Sequence, residues 1–253
     1  MKITLMQISP KLKKTTVAEF EKYLRDIDIN NDLVVFPELA LNGYMLKDAV
    51  YEDAYSVDEI EEFASLSKDY DLVFGAVLKQ EHKFFNSAFY CSNGKLLKIH
   101  KKTALPNYGL FQEARFFFKG GELEAFETGF GKTFIAVCEE LYDASIIAKI
   151  AEQKPDIIIV ISNSPARGFE ESGLLIQQQW EHLLCTTALL SGANTIFVNR
   201  IGFEDGLGFW GGSCMVDPKA QIVKRAKLFE EEQLLVSIDK KLSDTQKYLL
   251  REY

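Results

Sequence analysis

Three residues of unlike chemistry each follow a short apolar run. Glu38 comes just after Leu33-Val-Val-Phe36, Lys102 just after Leu96–Ile99, and Cys138 directly after Thr133–Val137. A carboxylate, an ammonium and a thiol make a coherent set for acyl transfer. The thiolate is the nucleophile, and a thiol needs a base or a lowered pKa to become one. Glu38 would take the thiol proton and later pass it to leaving ammonia, a task that suits a partly buried carboxylate. Lys102, helped by the backbone N–H after Cys138, would stabilise the developing oxyanion. A thioester would form, and water would hydrolyse it. Each residue has a plainer reading when taken singly: an inert core thiol, a solvated turn carboxylate, half of a surface Lys pair. The combination is what carries the chemistry.

The elements that must hold these residues alternate between helix and strand. Thr16-Val-Ala-Glu19 and Ser56-Val-Asp-Glu59 have the capping-box pattern, each followed by apolar residues at helical spacing. Leu33–Phe36, Leu72–Val77, Thr133–Val137, Asp156–Ile161, Thr195–Asn199 and Leu234–Ile238 read as strands. Phe85–Cys91 and Leu96–Ile99 flank an Asn93-Gly94 turn, and Ser213–Asp217 pairs with Gln221–Lys224 around Pro218. A short helix is expected near Ala144–Glu152 and a long one from about Glu170 to Leu190. With no linker, repeat or low-complexity tract, the pattern predicts a single α/β domain over residues 1–253, with mixed sheets covered by helices. Sites in such folds gather at the carboxyl ends of strands, where the three reactive residues lie.

Bulk properties narrow the function. The chain has 253 residues, 47% of them hydrophobic, which is ample for a buried core. Its net charge is −8, and basic tracts do not exceed Lys-Lys pairs, so neither nucleic acid nor an anionic membrane is an expected partner. No apolar run approaches a membrane span, and the first residues read as a strand closed by Pro10 rather than a signal peptide. Cys91, Cys138, Cys185 and Cys214 are widely spaced without a C-x-x-C pair. That argues against a metal site and for free thiols in the cytoplasm. A Cys–His hydrolase would have to draw on His82, His100 or His182; only His100, on the strand face leading to Lys102, is placed to approach the set.

The segments around the three residues resemble the nitrilase superfamily of carbon–nitrogen hydrolases. Phe36-Pro-Glu-Leu-Ala-Leu-Asn-Gly-Tyr44 is similar to the segment carrying the family's base, and His100 to Glu113 is similar to its K-x-x-L-P-N-Y-x-x-F-x-E segment. Val137-Cys-Glu-Glu-Leu-Tyr142 is similar to the nucleophile segment, and Asn199-Arg-Ile-Gly202 and Gly211-Gly-Ser213 to later landmarks. The resemblance spans nearly the whole chain. It implies a four-layer αββα sandwich with two mixed β-sheets, a Cys-Glu-Lys mechanism without metal or organic cofactor, and assembly into a homodimer or higher homo-oligomer. It also implies that Glu113 is a second glutamate supporting the catalytic set.

Within that family the motifs are nearest to the glutaminase domains of glutamine-dependent NAD synthetases. The resemblance assigns Tyr44, Tyr108 and Glu139 to the wall of an amide pocket. Ser162-Asn-Ser-Pro165 is similar to that branch's S-A-S-P stretch, which adds Asn163 and Ser164 as substrate-binding candidates. Gln112 and Glu140 depart from the branch by standing where Asp is usual, and no nucleotide-binding loop is present. The expected activity is hydrolysis of a small linear amide with release of ammonia. The enzyme would act free-standing, or hand ammonia to a separate partner. N-Carbamoyl-amine hydrolysis is the alternative on the same fold, and a catalytically silent binding protein the alternative of another class.

Overall fold

The structure, a computed structural model, describes residues 1–171 and 173–250. The first half of the chain runs β1 (Lys2–Gln7), α1 (Val17–Leu24), β2 (Leu33–Val35), α2 (Val50–Asp53), α3 (Val57–Ala64), β3 (Asp71–Gln80), β4 (Lys83–Ser92), β5 (Lys95–Lys101) and α4 (Glu113–Phe116). The chain then forms β6 (Phe126–Thr128), β7 (Gly131–Val137), α5 (Ala144–Gln153), β8 (Ile157–Ser162), β9 (Phe169–Glu170), β10 (Gly173–Leu174) and α6 (Leu175–Ser191). It finishes with β11 (Asn194–Asn199), β12 (Ile201–Glu204), β13 (Leu207–Trp210), β14 (Cys214–Val216), β15 (Ile222–Arg225), β16 (Glu232–Ser237) and α7 (Lys240–Leu249).

Two six-stranded mixed sheets result, in the orders β16-β1-β2-β3-β4-β5 and β15-β14-β11-β8-β7-β6. Each has three parallel strands at its heart, β1-β2-β3 in one and β7-β8-β11 in the other, flanked by antiparallel neighbours. Side-chain alternation along each strand builds the layers. Ile157, Ile159 and Ile161 on β8 meet Ile3, Leu5, Leu33 and Val35 of the other sheet, filling the space between them. Ile158 and Val160 point the other way, under Trp180, Leu184 and Ala188 of α6. On the far side, Val34, Phe36, Leu72 and Phe74 receive Phe20 of α1 and Ile60 and Phe63 of α3. These are the mixed sheets covered by helices that the sequence pattern predicted, in the αββα sandwich that the resemblance implied.

Both capping boxes form, with Thr16 and Glu19, and Ser56 and Glu59, exchanging hydrogen bonds at the helix starts. Asn93 and Gly94 both take positive φ (52° and 74°), the two-residue turn expected between β4 and β5. The long helix starts later than its expected position near Glu170. Phe169–Glu170 instead pairs with Gly173–Leu174, and Gly173, at φ 120°, cannot be helical. Ser172, within that expected start, lies outside the described residues, as do 251–253 of the expected domain. Among the described residues no helix is long and apolar enough to cross a membrane.

Candidate active site

β2 delivers Glu38 from the middle of its sheet. The strand ends where Phe36 donates to Val73 O (2.8 Å) and Pro37 removes the next donor. The chain then turns tightly, with Leu39 at φ 47°. Gly75 of β3 makes that turn possible: a Cβ there would lie 2.3 Å from Leu39 N and 2.8 Å from Glu38 Cα. Glu38 is wholly buried, and three donors fix its carboxylate. Oε1 accepts from Asn86 Nδ2 (2.7 Å) and Lys102 Nζ (2.7 Å), and Oε2 accepts from the Asn163 backbone N–H (2.7 Å).

Lys102 follows β5 and is also fully buried; its N–H is held by Asn86 O at 2.8 Å. Its ammonium bridges Glu38 and Glu113, donating to Glu113 Oε1 at 2.9 Å. Burial opposes that positive charge, but Glu113 and Glu38 outweigh it and hold the lysine well above its usual pKa. Glu113, at the start of α4, accepts a second bond from Tyr44 Oη (2.7 Å). Burial pushes its carboxyl up to about 7, against the pull of Lys102. Glu38, Lys102, Glu113 and Tyr44 therefore form one hydrogen-bonded cluster.

Cys138 directly follows β7 and opens a 3-10 turn, Cys138–Tyr142, with its own φ at 46°. A positive φ is uncommon for a residue with a side chain and persists only where the surroundings enforce it. Its Sγ accepts from Ser162 Oγ at 3.2 Å. Burial, then the Glu38 charge, raise the thiol pKa, while Lys102 lowers it. The net effect favours the protonated thiol. Lys102, Tyr44, Tyr108 and Tyr142 all lie within electrostatic reach of the same thiol.

The remaining predicted residues divide. Tyr108 Oη lies 2.9 Å from both Glu139 oxygens in a half-exposed pair lining an open cleft with Tyr142. The Asn163 side chain is buried with neither polar atom partnered, while its backbone serves Glu38. The Ser164 hydroxyl instead accepts from the indoles of Trp180 (2.8 Å) and Trp210 (3.3 Å). A largely apolar cavity of about 270 Å³ opens beside Tyr44 and Glu113, walled by residues that include Met45, Leu110, Phe111, Phe116 and Leu207. His100 is engaged elsewhere, its Nε2 lying 2.8 Å from Glu140 Oε2. Sequence reasoning missed two residues. Asn86 touches both Glu38 and Lys102, and its only signal was a polar residue in an apolar strand. Glu140 was noted only as a departure from Asp. Among the described residues no cluster of three or more His, Cys, Asp or Glu is arranged to hold a metal ion.

Residues 2–248 match the carbon-nitrogen hydrolase family, and the chain belongs to it. Among its relatives is the glutamine-dependent NAD(+) synthetase of Thermotoga maritima, 27% identical over 251 residues that cover 94% of this chain and 42% of the relative. The solved glutamine-dependent NAD+ synthetase of Acinetobacter baumannii superposes with a TM-score of 0.83 at 26% identity, covering 96% of this chain and 46% of that one. A CN-hydrolase superfamily protein from Xanthomonas campestris shares the fold along 98% of this chain and 94% of its own (TM-score 0.82, 20% identity). The chain spans less than half the length of the synthetases it matches.

Proposed function

We propose that this protein is an amidase that cleaves the C–N bond of a small linear amide, glutamine-like or another ω-amide, through a thioester on Cys138. The observation that carries the reading is the fully buried Lys102 ammonium shared by Glu38 and Glu113 beside a protonated thiol. Glu38 takes the thiol proton as sulfur attacks the amide carbon. Lys102 stays charged and faces the oxyanion of the tetrahedral intermediate. Glu38 returns the proton to nitrogen, the C–N bond breaks and ammonia leaves. Water, deprotonated by Glu38, then attacks the thioester, and the carboxylic acid and the thiol are released. Glu113 and Tyr44 hold the ammonium in place. The names of the relatives, which carry the word glutamine-dependent, favour an amide of that shape, and the Tyr108–Glu139 pair offers acceptors and a hydroxyl for its distal polar end.

Ammonia release from L-glutamine, L-asparagine, ω-amides of small dicarboxylates and N-carbamoyl amines tests this, with wild type and Cys138→Ala run side by side. One amide should release ammonia in the wild type only. Carbon dioxide released together with ammonia would move the assignment to N-carbamoyl amines. No turnover, with Cys138 no more reactive to iodoacetamide than the other three thiols, would overturn the amidase reading in favour of a silent scaffold.

A further inference from the structure

The carboxylate of Glu140 is fully buried, accepts three hydrogen bonds and pairs with His100. Oε1 takes the Thr103 backbone N–H (2.7 Å) and the Thr103 hydroxyl (2.7 Å). Oε2 takes the Val137 backbone N–H (2.7 Å) and meets His100 Nε2 at 2.8 Å. Its partners have a pattern. Val137 is the residue before Cys138, Thr103 the residue after Lys102, and His100 the last inward-facing residue of β5 before Lys102. β5 and β7 belong to different sheets, and no backbone ladder joins them. One side chain therefore spans the sheet–sheet junction and touches both chain segments that present the reactive groups.

We propose that Glu140 is a positioning residue that sets the register of Cys138 against Lys102, with His100 and Thr103 as the anchors on the lysine side. The proposal rests on the amidase reading above for its kinetic consequences. The Cys138 backbone is held at a positive φ, which needs external restraint, and the Glu140 bond to the Val137 N–H restrains the strand end leading into it. Burial disfavours charge on Glu140, yet His100 and the N–H groups of Thr103 and Val137 keep its carboxyl below the ordinary carboxylate range, which strengthens the hydrogen bonds it accepts. No ion pair or side-chain hydrogen bond links Cys138 to Lys102 among the described residues, so their separation depends on what holds their neighbours. Reacting groups displaced by about 1 Å lose roughly 100-fold in rate.

The test is Glu140→Gln, which keeps the shape but turns an amide NH2 toward donors that need an acceptor. Glu140→Asp, one methylene shorter, is the second variant should the first fail to fold. Both are assayed well below their melting temperatures. The expected result is a fall in kcat of about 100-fold with KM within about threefold. Alkylation of Cys138 by iodoacetamide should slow, and amide exchange at Val137 and Thr103 should quicken. Wild-type kcat and alkylation rate in a folded variant would overturn the proposal. So would a KM effect with kcat unchanged. The alkylation and exchange readouts need no substrate, so they decide the strap even if no amide is turned over, and that second failure falls on the amidase reading alone.

Discussion

Tyr44 and Lys102 converge on a single atom. Glu113 Oε1 receives the phenol at 2.7 Å and the ammonium at 2.9 Å, while buried Oε2 has no hydrogen-bond partner among the described residues. A carboxyl with one crowded oxygen and one bare one tolerates a proton on the bare side, in keeping with its raised pKa.

That asymmetry has a sign in stability. The Glu113 carboxyl titrates near 7 in the folded protein and near 4.5 when unperturbed, so between these values the native state holds the extra proton. Its contribution is complete below about pH 4.5 and is lost as pH rises through about 7. The melting-temperature difference between wild type and Glu113→Gln should therefore decline across that window. A flat difference would show that the carboxyl titrates normally.

Lys102→Met should destabilise the protein by about 3–5 kcal/mol, because two buried carboxylates lose their shared cation. Urea denaturation measures this. A loss below about 1 kcal/mol would mean that water or a rearranged donor replaces the ammonium. Lys102→Arg is not expected to rescue activity, since a planar fork does not fit between carboxylates arranged for a point charge.

Gly75→Ala should cost about 1–3 kcal/mol, because its methyl would meet backbone rather than a movable side chain. Relief comes by pushing out the Glu38–Leu39 turn, so ammonia release should fall by more than the stability loss explains at a temperature where the variant is folded. Wild-type turnover in that variant would show that Glu38 does not depend on the close approach.

Ser164→Ala strips the acceptor from two buried indole N–H groups, at a cost of about 1–3 kcal/mol. KM for the amide should stay near wild type. A KM raised about tenfold with unchanged stability would instead put the hydroxyl on the substrate, as the sequence motif had suggested.

Glu38 and Cys138 follow buried apolar strands, whereas Lys102 follows Lys-Leu-Leu-Lys-Ile-His-Lys, so the three were legible as a set only in combination and through the segments around them. The hairpin at Asn93-Gly94 was legible from its turn chemistry. Asp205-Gly206 carries the same signal and links β12 to β13 at positive φ (47° and 81°), yet it went unread because the flanking strands are short. α7 escaped because its apolar residues are few among polar ones and it buries only Ser243; Asp239 caps it and Lys247 ties it to Asp156. Asn86 and Glu140 are a different case. Their importance lies in partners far along the chain, His100, Thr103 and Lys102 among them, and no local pattern encodes which distant backbone a buried side chain will meet.

The residues of the proposed chemistry are divided along the chain. Glu38, Asn86, Lys102 and Glu113 all precede β6, whereas Cys138, Glu140 and Asn163 come after it. During synthesis the ionic cluster thus leaves the ribosome before the thiol does. On the proposed reading the nascent chain holds the base before the thiol, and neither has its partner until the two sheets pack together. Recovery of Cys138 reactivity after dilution from denaturant would thus time the last assembly step, lagging behind any signal that reports strand or helix formation within one layer.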